Sequence, residues 1–205
     1  AASHHPYNKI FIYNIFSNNS FANLFKVNNI VSIFGDYVLK YSDKNYNYYF
    51  SNSNMTSDIL LEYLDYNAME INSKTKINKL IKKSKKIYIS VGMNDLLNYV
   101  GLNDGKLIYN PTIINQKIAL LEYNLHEIIT AINSVKELDI YYVSLYYLND
   151  YNFDLLIEEC NNELKELVTS LNANFIDISN IIKIKNFKFS DYDREKIYSI
   201  IEQWV

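Results

Sequence analysis

The sequence is poor in the residues that most often carry chemistry. It has one cysteine, Cys160, in 205 residues, which excludes a disulfide framework and a Cys-rich zinc site. Three histidines are present, and two of them are His4 and His5, so little imidazole is left for catalysis or metal binding. Glycine and proline number only four and two. The charge is nearly balanced, with 20 Lys+Arg against 23 Asp+Glu and a net −3. That excludes bulk electrostatic attraction to nucleic acid or to an anionic membrane. No run of about 18 apolar residues occurs, so no segment reads as a membrane-spanning helix.

What is present is an ordinary globular composition, 49% apolar and 21% charged, in a length suited to one domain with a large core. The chain holds 29 Asn, 28 Ile and 20 Tyr. These residues use A+T-rich codons, which points to a low-GC bacterial genome and makes abundant Asn a poor guide to function. Asn also supplies the positive φ angles that so few glycines cannot. The opening Ala1-Ala2-Ser3-His4-His5-Pro6 resembles an expression-tag scar, so residues 1–8 are set aside and 9–205 read as a single domain. No repeat, linker or composition break interrupts it.

Short apolar runs with β-branched and aromatic content make Lys9–Phe16, Ile30–Phe34 and, less clearly, Asn45–Phe50 strand candidates. Thr56-Ser57-Asp58 followed by ILLEYL is a capped helix start. Lys74–Lys86 reads as a short amphipathic helix with Ile77, Leu80 and Ile81 on one face. Ile87–Val91 follows as a buried strand ending at Gly92. From Thr112 to Val135, Ile114, Ile118, Leu121, Leu125, Ile128 and Ile132 trace one stripe of a 3.6-residue period. Asp139–Leu145 is a further strand, Phe153–Leu171 a helix and Asn174–Ile178 a strand. Ser190–Trp204 closes the chain as a helix, with Ser190 and Asp193 in a capping-box-like arrangement.

Strands alternating with helices imply βαβ units, a mostly parallel sheet and helices on both faces. In such folds ligands bind at the carboxyl ends of the strands. After the strand ending at Val91 comes Gly92-Met93-Asn94-Asp95. Gly92 permits a tight exit, Asn94 projects an amide over the sheet edge, and Asp95 is placed to cap the following helix. A fixed amide donor there suits an oxyanion hole; a plain strand-to-helix turn accounts for the same residues.

The segment IYISVGMNDLL, the Lys-rich helix before it and the long helix, strand, helix and strand after it resemble the SGNH/GDSL hydrolase family. The resemblance covers residues 30–205 and implies a three-layer α/β/α sandwich of flavodoxin-like order, with no metal or cofactor. YYFSNSNMTSDILLEYL resembles the family's second block, with Asn54 where the family has its oxyanion glycine. The nucleophile block, Gly-Asp-Ser-Leu in the family, matches Gly35-Asp36-Tyr37-Val38 after IVSIF, with Tyr37 at the serine position. A second register places this block at IFIYNIFSNNSFANLF, with the nucleophile position near Asn14 and Ser17 or Ser20 as displaced substitutes. The last block, Asp-x-x-His, matches Asp191-Tyr192-Asp193-Arg194, so Arg194 stands where the histidine belongs. A phenol is a poor acyl nucleophile and an arginine no general base near neutral pH.

The resemblance therefore implies Asn94 and Asp191 as retained catalytic positions. It implies Gly35, Asp36, Tyr37, Asn54, Gly92, Asn94 and Arg194 as the residues lining a ligand site. Two readings follow. One is a degenerate domain that does not hydrolyse and either binds an acyl, glycan or other small ligand, with Arg194 holding a carboxylate, or acts as an interaction module. The other is a divergent esterase using Ser17, Ser20 or Ser53 with a carboxylate such as Asp191 as base and Asn94 as oxyanion donor. His126 reads as a solvated helix residue and Cys160 as a structural thiol. The run Lys74, Lys76, Lys79, Lys82, Lys83, Lys85, Lys86 reads as a solvated face. Asp36, Asp95 and Asp191 could meet at the sheet edge and hold a cation, a role the resemblance does not call for.

Overall fold

The computed structural model describes residues 11–14, 30–36, 48–51, 54–65 and 71–180. Six strands form one sheet: β1 (Phe11–Asn14), β2 (Val31–Gly35), β3 (Tyr48–Ser51), β4 (Lys86–Ser90), β7 (Asp139–Val143) and β8 (Asn174–Ile176). Their order is β1-β3-β2-β4-β7-β8. All neighbours are parallel except β1, which runs antiparallel on the outer edge of β3. The five parallel strands thus follow the 2-1-3-4-5 order of doubly wound folds, whose switch point lies between the first and third. Here that is the β2–β4 boundary. The expected α/β class with a mostly parallel sheet is what the chain forms.

The helices are α1 (Ser57–Leu64), α2 (Ile71–Lys83), α3 (Met93–Leu97), α4 (Pro111–Val135) and α5 (Tyr151–Ser170). Thr56 caps α1, its hydroxyl accepting from the Ile59 N–H at 3.4 Å. The long helix starts one residue earlier than its periodicity suggests, because Pro111 needs no intrahelical acceptor at N1 and Asn110 caps it. The stripe from Ile114 to Ile132 is buried throughout. Helices α1, α4 and α5 pack side by side, as right-handed crossovers between successive parallel strands require. Phe34 and Phe50 on the sheet and Tyr63 on α1 join the layers through edge-to-face rings, with centroids 5.9 and 5.1 Å apart. The helix expected over Ser190–Trp204 lies outside the described residues.

An unforeseen hairpin, β5 (Gly101–Asn103) and β6 (Lys106–Ile108), follows α3. Its turn residues Asp104 and Gly105 have φ of 50° and 73°, the two positive angles of a type I′ turn. Asn149 and Asn172 supply two further positive φ angles, at 64° and 58°. Among the described residues no helix is long and apolar enough to cross a membrane.

Candidate functional site

At the switch point the carboxyl ends of β2 and β4 touch. Gly35 pairs with Ser90 on one side and Ser51 on the other. A Cβ on Gly35 would lie 2.0 Å from the Ser90 carbonyl oxygen, and its φ is +135°, so only glycine lets the strands close here. Asp36 follows, buried. Its N–H donates to the Ser90 carbonyl at 2.8 Å, and its carboxylate accepts from the Ser90 hydroxyl at 2.7 Å. Beside this row the Ser51 hydroxyl is buried and makes no hydrogen bond among the described residues.

Gly92 turns the chain off β4 with φ +129°. A Cβ there would meet Leu145 at 2.7 Å and Leu121 at 3.0 Å. The Tyr142 hydroxyl donates to the neighbouring Val91 carbonyl at 2.7 Å. Asn94 then projects its amide back across the sheet edge and donates to the Met55 carbonyl at 3.0 Å. The turn carrying Asn54 is therefore clasped to the turn carrying Asn94.

Asp95 departs from expectation. Gly92 occupies the cap of α3 without a side-chain bond, and Asp95 lies within that helix, where it cannot cap its own start. Its carboxylate accepts the backbone N–H of Ser57 at 2.9 Å and also the Ser57 hydroxyl. It thus caps α1, a helix 38 residues earlier, because an anion is favoured beside the unpaired N–H groups of a helix start. Asn124 on α4 donates to the Ser57 hydroxyl at 3.0 Å and to Asp58 at 2.7 Å. Burial pushes Asp95 up to about 6 against the pull of the Ser57 bonds.

Among the described residues the neighbourhood of Asn94 thus contains two serine–carboxylate pairs, Ser57–Asp95 and Ser90–Asp36. Both serines are enclosed, at 0% and 4% exposure. The Ser57 oxygen is further occupied by Asn124. These pairs hold turns together and present no hydroxyl to a substrate. A cavity of about 350 Å³ opens beside them, lined by Asn54, Asp58, Asp95, Asn98, Tyr99 and Lys117 among others. The Lys117 ammonium lies 4.5 Å from the Tyr99 ring centroid.

The structure brings Gly35, Asp36, Asn54, Gly92 and Asn94 to one sheet edge. Tyr37, Asp191 and Arg194 lie outside the described residues, as do Ser17, Ser20 and Ser53. Asn14, near the nucleophile position of the second register, pairs with Tyr48, the first residue of β3, at the amino end of the parallel strands. His126 is exposed on α4, 3.3 Å from Glu127. Cys160 is buried, its thiol pushed up by burial and by Glu122 and Glu163. Lys79, Lys82, Lys83 and Lys85 are exposed. Among the described residues no three His, Cys, Asp or Glu side chains are placed to hold a metal ion.

The residues missed from sequence were Ser57, Ser90 and Asn124. Asn124 was the findable one, since it sits three residues from Leu121 on the buried stripe of α4, where a polar side chain requires a buried partner.

The molecule is an α/β protein whose polar residues gather at the topological switch point of a mostly parallel sheet. No protein-family model and no curated protein matches the chain. A solved structure similar to it is a catalytic mutant of an acetylxylan esterase from Geobacillus stearothermophilus. That similarity has a TM-score of 0.48 and 12% identity, and covers 74% of this chain and 76% of that one.

Proposed function

We propose that this domain is a degenerate SGNH/GDSL-type scaffold that binds a small acyl- or glycan-type ligand at the carboxyl edge of its sheet without hydrolysing it. The observation that carries the reading is the state of the hydroxyls around Asn94. The donor-bearing turns of Asn54 and Asn94 are clasped side by side, yet both nearby serine–carboxylate pairs are buried. Acyl transfer needs an exposed nucleophile with a base in reach. The positions that the resemblance assigns to nucleophile and base carry Tyr37 and Arg194. Arginine in that place suits a ligand carboxylate, which it can engage with two parallel hydrogen bonds.

The test pairs turnover of short-chain 4-nitrophenyl esters with fluorophosphonate labelling read by mass spectrometry. No turnover and no labelled serine are expected. A serine labelled in the wild type, whose replacement abolishes both label and turnover, overturns the reading in favour of a divergent esterase with Asn94 as oxyanion donor. Binding is read by chemical-shift changes with acetate and with an O-acetylated methyl glycoside. Perturbations are expected at Asn54 and Asn94 and reduced in Arg194→Ala. Binding unchanged by that substitution removes arginine from the site.

A further inference from the structure

The two turns at the sheet edge are joined at two points. Asn94 holds Met55 through its amide, and Asp95 holds Ser57 through its carboxylate. Between them Thr56 is fixed as the cap of α1. Behind Ser57, Asn124 donates to the Ser57 oxygen and to Asp58. Each of these donated protons has an acceptor, and the acceptor that receives two of them from Ser57 is one buried carboxylate.

We propose that Asp95 is a positioning residue: through Ser57 its carboxylate holds the turn carrying Asn54 against the turn carrying Asn94, and its ionisation, which leaves a buried charge there, makes the two turns easier to part. The inference rests on the function proposed above only in treating Asn54 and Asn94 as ligand donors. The clasp itself stands on the hydrogen bonds.

Protonation exchanges stronger bonds at Ser57 for relief of a buried charge, and burial is the larger effect. An ionised carboxylate only accepts, so it takes both the N–H and the O–H of Ser57. Once protonated, one of its oxygens becomes a donor and turns to the Ser57 oxygen. That oxygen already accepts from Asn124, and its own hydrogen must turn away from Asp95 to another acceptor. The Ser57 N–H keeps only a neutral carbonyl, a weaker partner than a carboxylate. Burial raises Asp95 to about 6, so the change falls just below neutral pH. The groups facing Asp95 are Asp58 from α1, Tyr142 from β7 and Cys160 from α5. Lys117 from α4 lines the same cavity, and Asp36 acts with Asp95 on Tyr142. Burial pushes Tyr142 and Cys160 upward, so both stay neutral through that range.

The experiment is nitrogen-15 NMR of the full chain across about pH 4.5 to 8, with hydrogen exchange at the two ends. The Ser57 and Asn54 backbone amides are expected to shift together with one midpoint near that of Asp95. Ser57 protection, corrected for intrinsic exchange, is expected to be at least about tenfold lower at the alkaline end, because opening returns Asp95 to its ordinary carboxylate range. Asp95→Asn is expected to keep the wild-type acid-end spectrum at every pH, and Ser57→Ala to shrink the Asn54 response. Asp58→Asn is expected to leave the midpoint in place. Flat Ser57 and Asn54 signals overturn the proposal, as does a titration that survives Asp95→Asn or vanishes in Asp58→Asn. Should Asp95→Asn fail to fold, the wild-type and Asp58→Asn titrations decide alone. Ester turnover or fluorophosphonate labelling would count against the proposed function and leave this result unaffected.

Discussion

The four glycines of the chain offer a graded test of how the switch point is built, and Gly35→Ala is its most severe member. The added Cβ would lie 2.0 Å from the Ser90 oxygen and 2.7 Å from its carbonyl carbon. Both are backbone atoms of the neighbouring strand, so no side chain can swing aside. Three costs combine. The φ of +135° is disfavoured for an L residue by about 1–3 kcal/mol. Overpacking a filled interior adds about 1–3 kcal/mol. Displacing the Ser90 carbonyl also breaks its bond with the Asp36 N–H, a buried loss of about 1–3 kcal/mol. The total is roughly 3–9 kcal/mol against a domain stability of about 5–15 kcal/mol.

The assay is urea unfolding followed by far-ultraviolet circular dichroism. With a slope of about 2 kcal/mol per molar, the midpoint should fall by at least about 1.5 M. Gly105→Ala isolates the backbone component, since φ is +73° and no atom lies within 4 Å; its loss should stay near 1 kcal/mol. Gly101→Ala meets only the Ile108 oxygen, at 3.8 Å, and should be within about 0.5 kcal/mol of the wild type. A Gly35→Ala midpoint equal to that of Gly101→Ala would refute the close approach of β2 and β4 on which the site's geometry depends.

Further outcomes follow from the titrating groups. Because folding raises Asp95 from 3.8 to about 6, its contribution is fully present below about pH 4 and is lost as pH rises through about 6, roughly 3 kcal/mol in all. Asp95→Asn should flatten that part of the stability-versus-pH curve in urea unfolding; parallel curves for the two proteins would contradict it. Glu122 is raised to about 7 by burial and by Glu163, so the same sign applies. Solvent access keeps its share below about 1 kcal/mol, and Glu122→Gln should remove only the slope between about pH 5 and 7 in the same measurement. His126→Ala should change the unfolding free energy by less than about 0.5 kcal/mol and leave any ester turnover as it was, since the ring is exposed beside Glu127.

Some of this was legible in the chain and some was not, for definite reasons. The Ile114–Ile132 stripe marked α4 because a helix writes its buried face into local spacing. Thr56-Ser57-Asp58 marked α1 because capping is local too. The β5–β6 hairpin was overlooked although Asp104-Gly105 is turn chemistry, since its strands are three residues each and largely exposed and so lack an apolar pattern. Asp95 was read as capping the helix that follows it, the nearest available explanation. Its actual partner belongs to a turn 38 residues away, and no local rule reaches that far.

By itself the sequence determined the alternation of strands and helices, the buried faces of the long helices and the scarcity of imidazole. These are properties of neighbours along the chain and of composition. Only the tertiary structure decided that Gly35 and Asp36 meet Ser90 at the switch point while Asn14 pairs at the amino end of β3. Strand order and direction set that difference, and neither is written in the spacing of residues. It also decided that the serines with carboxylate partners face inward. A hydroxyl's usefulness depends on what surrounds it in space, and at Ser57 and Ser90 that surrounding is protein on every side.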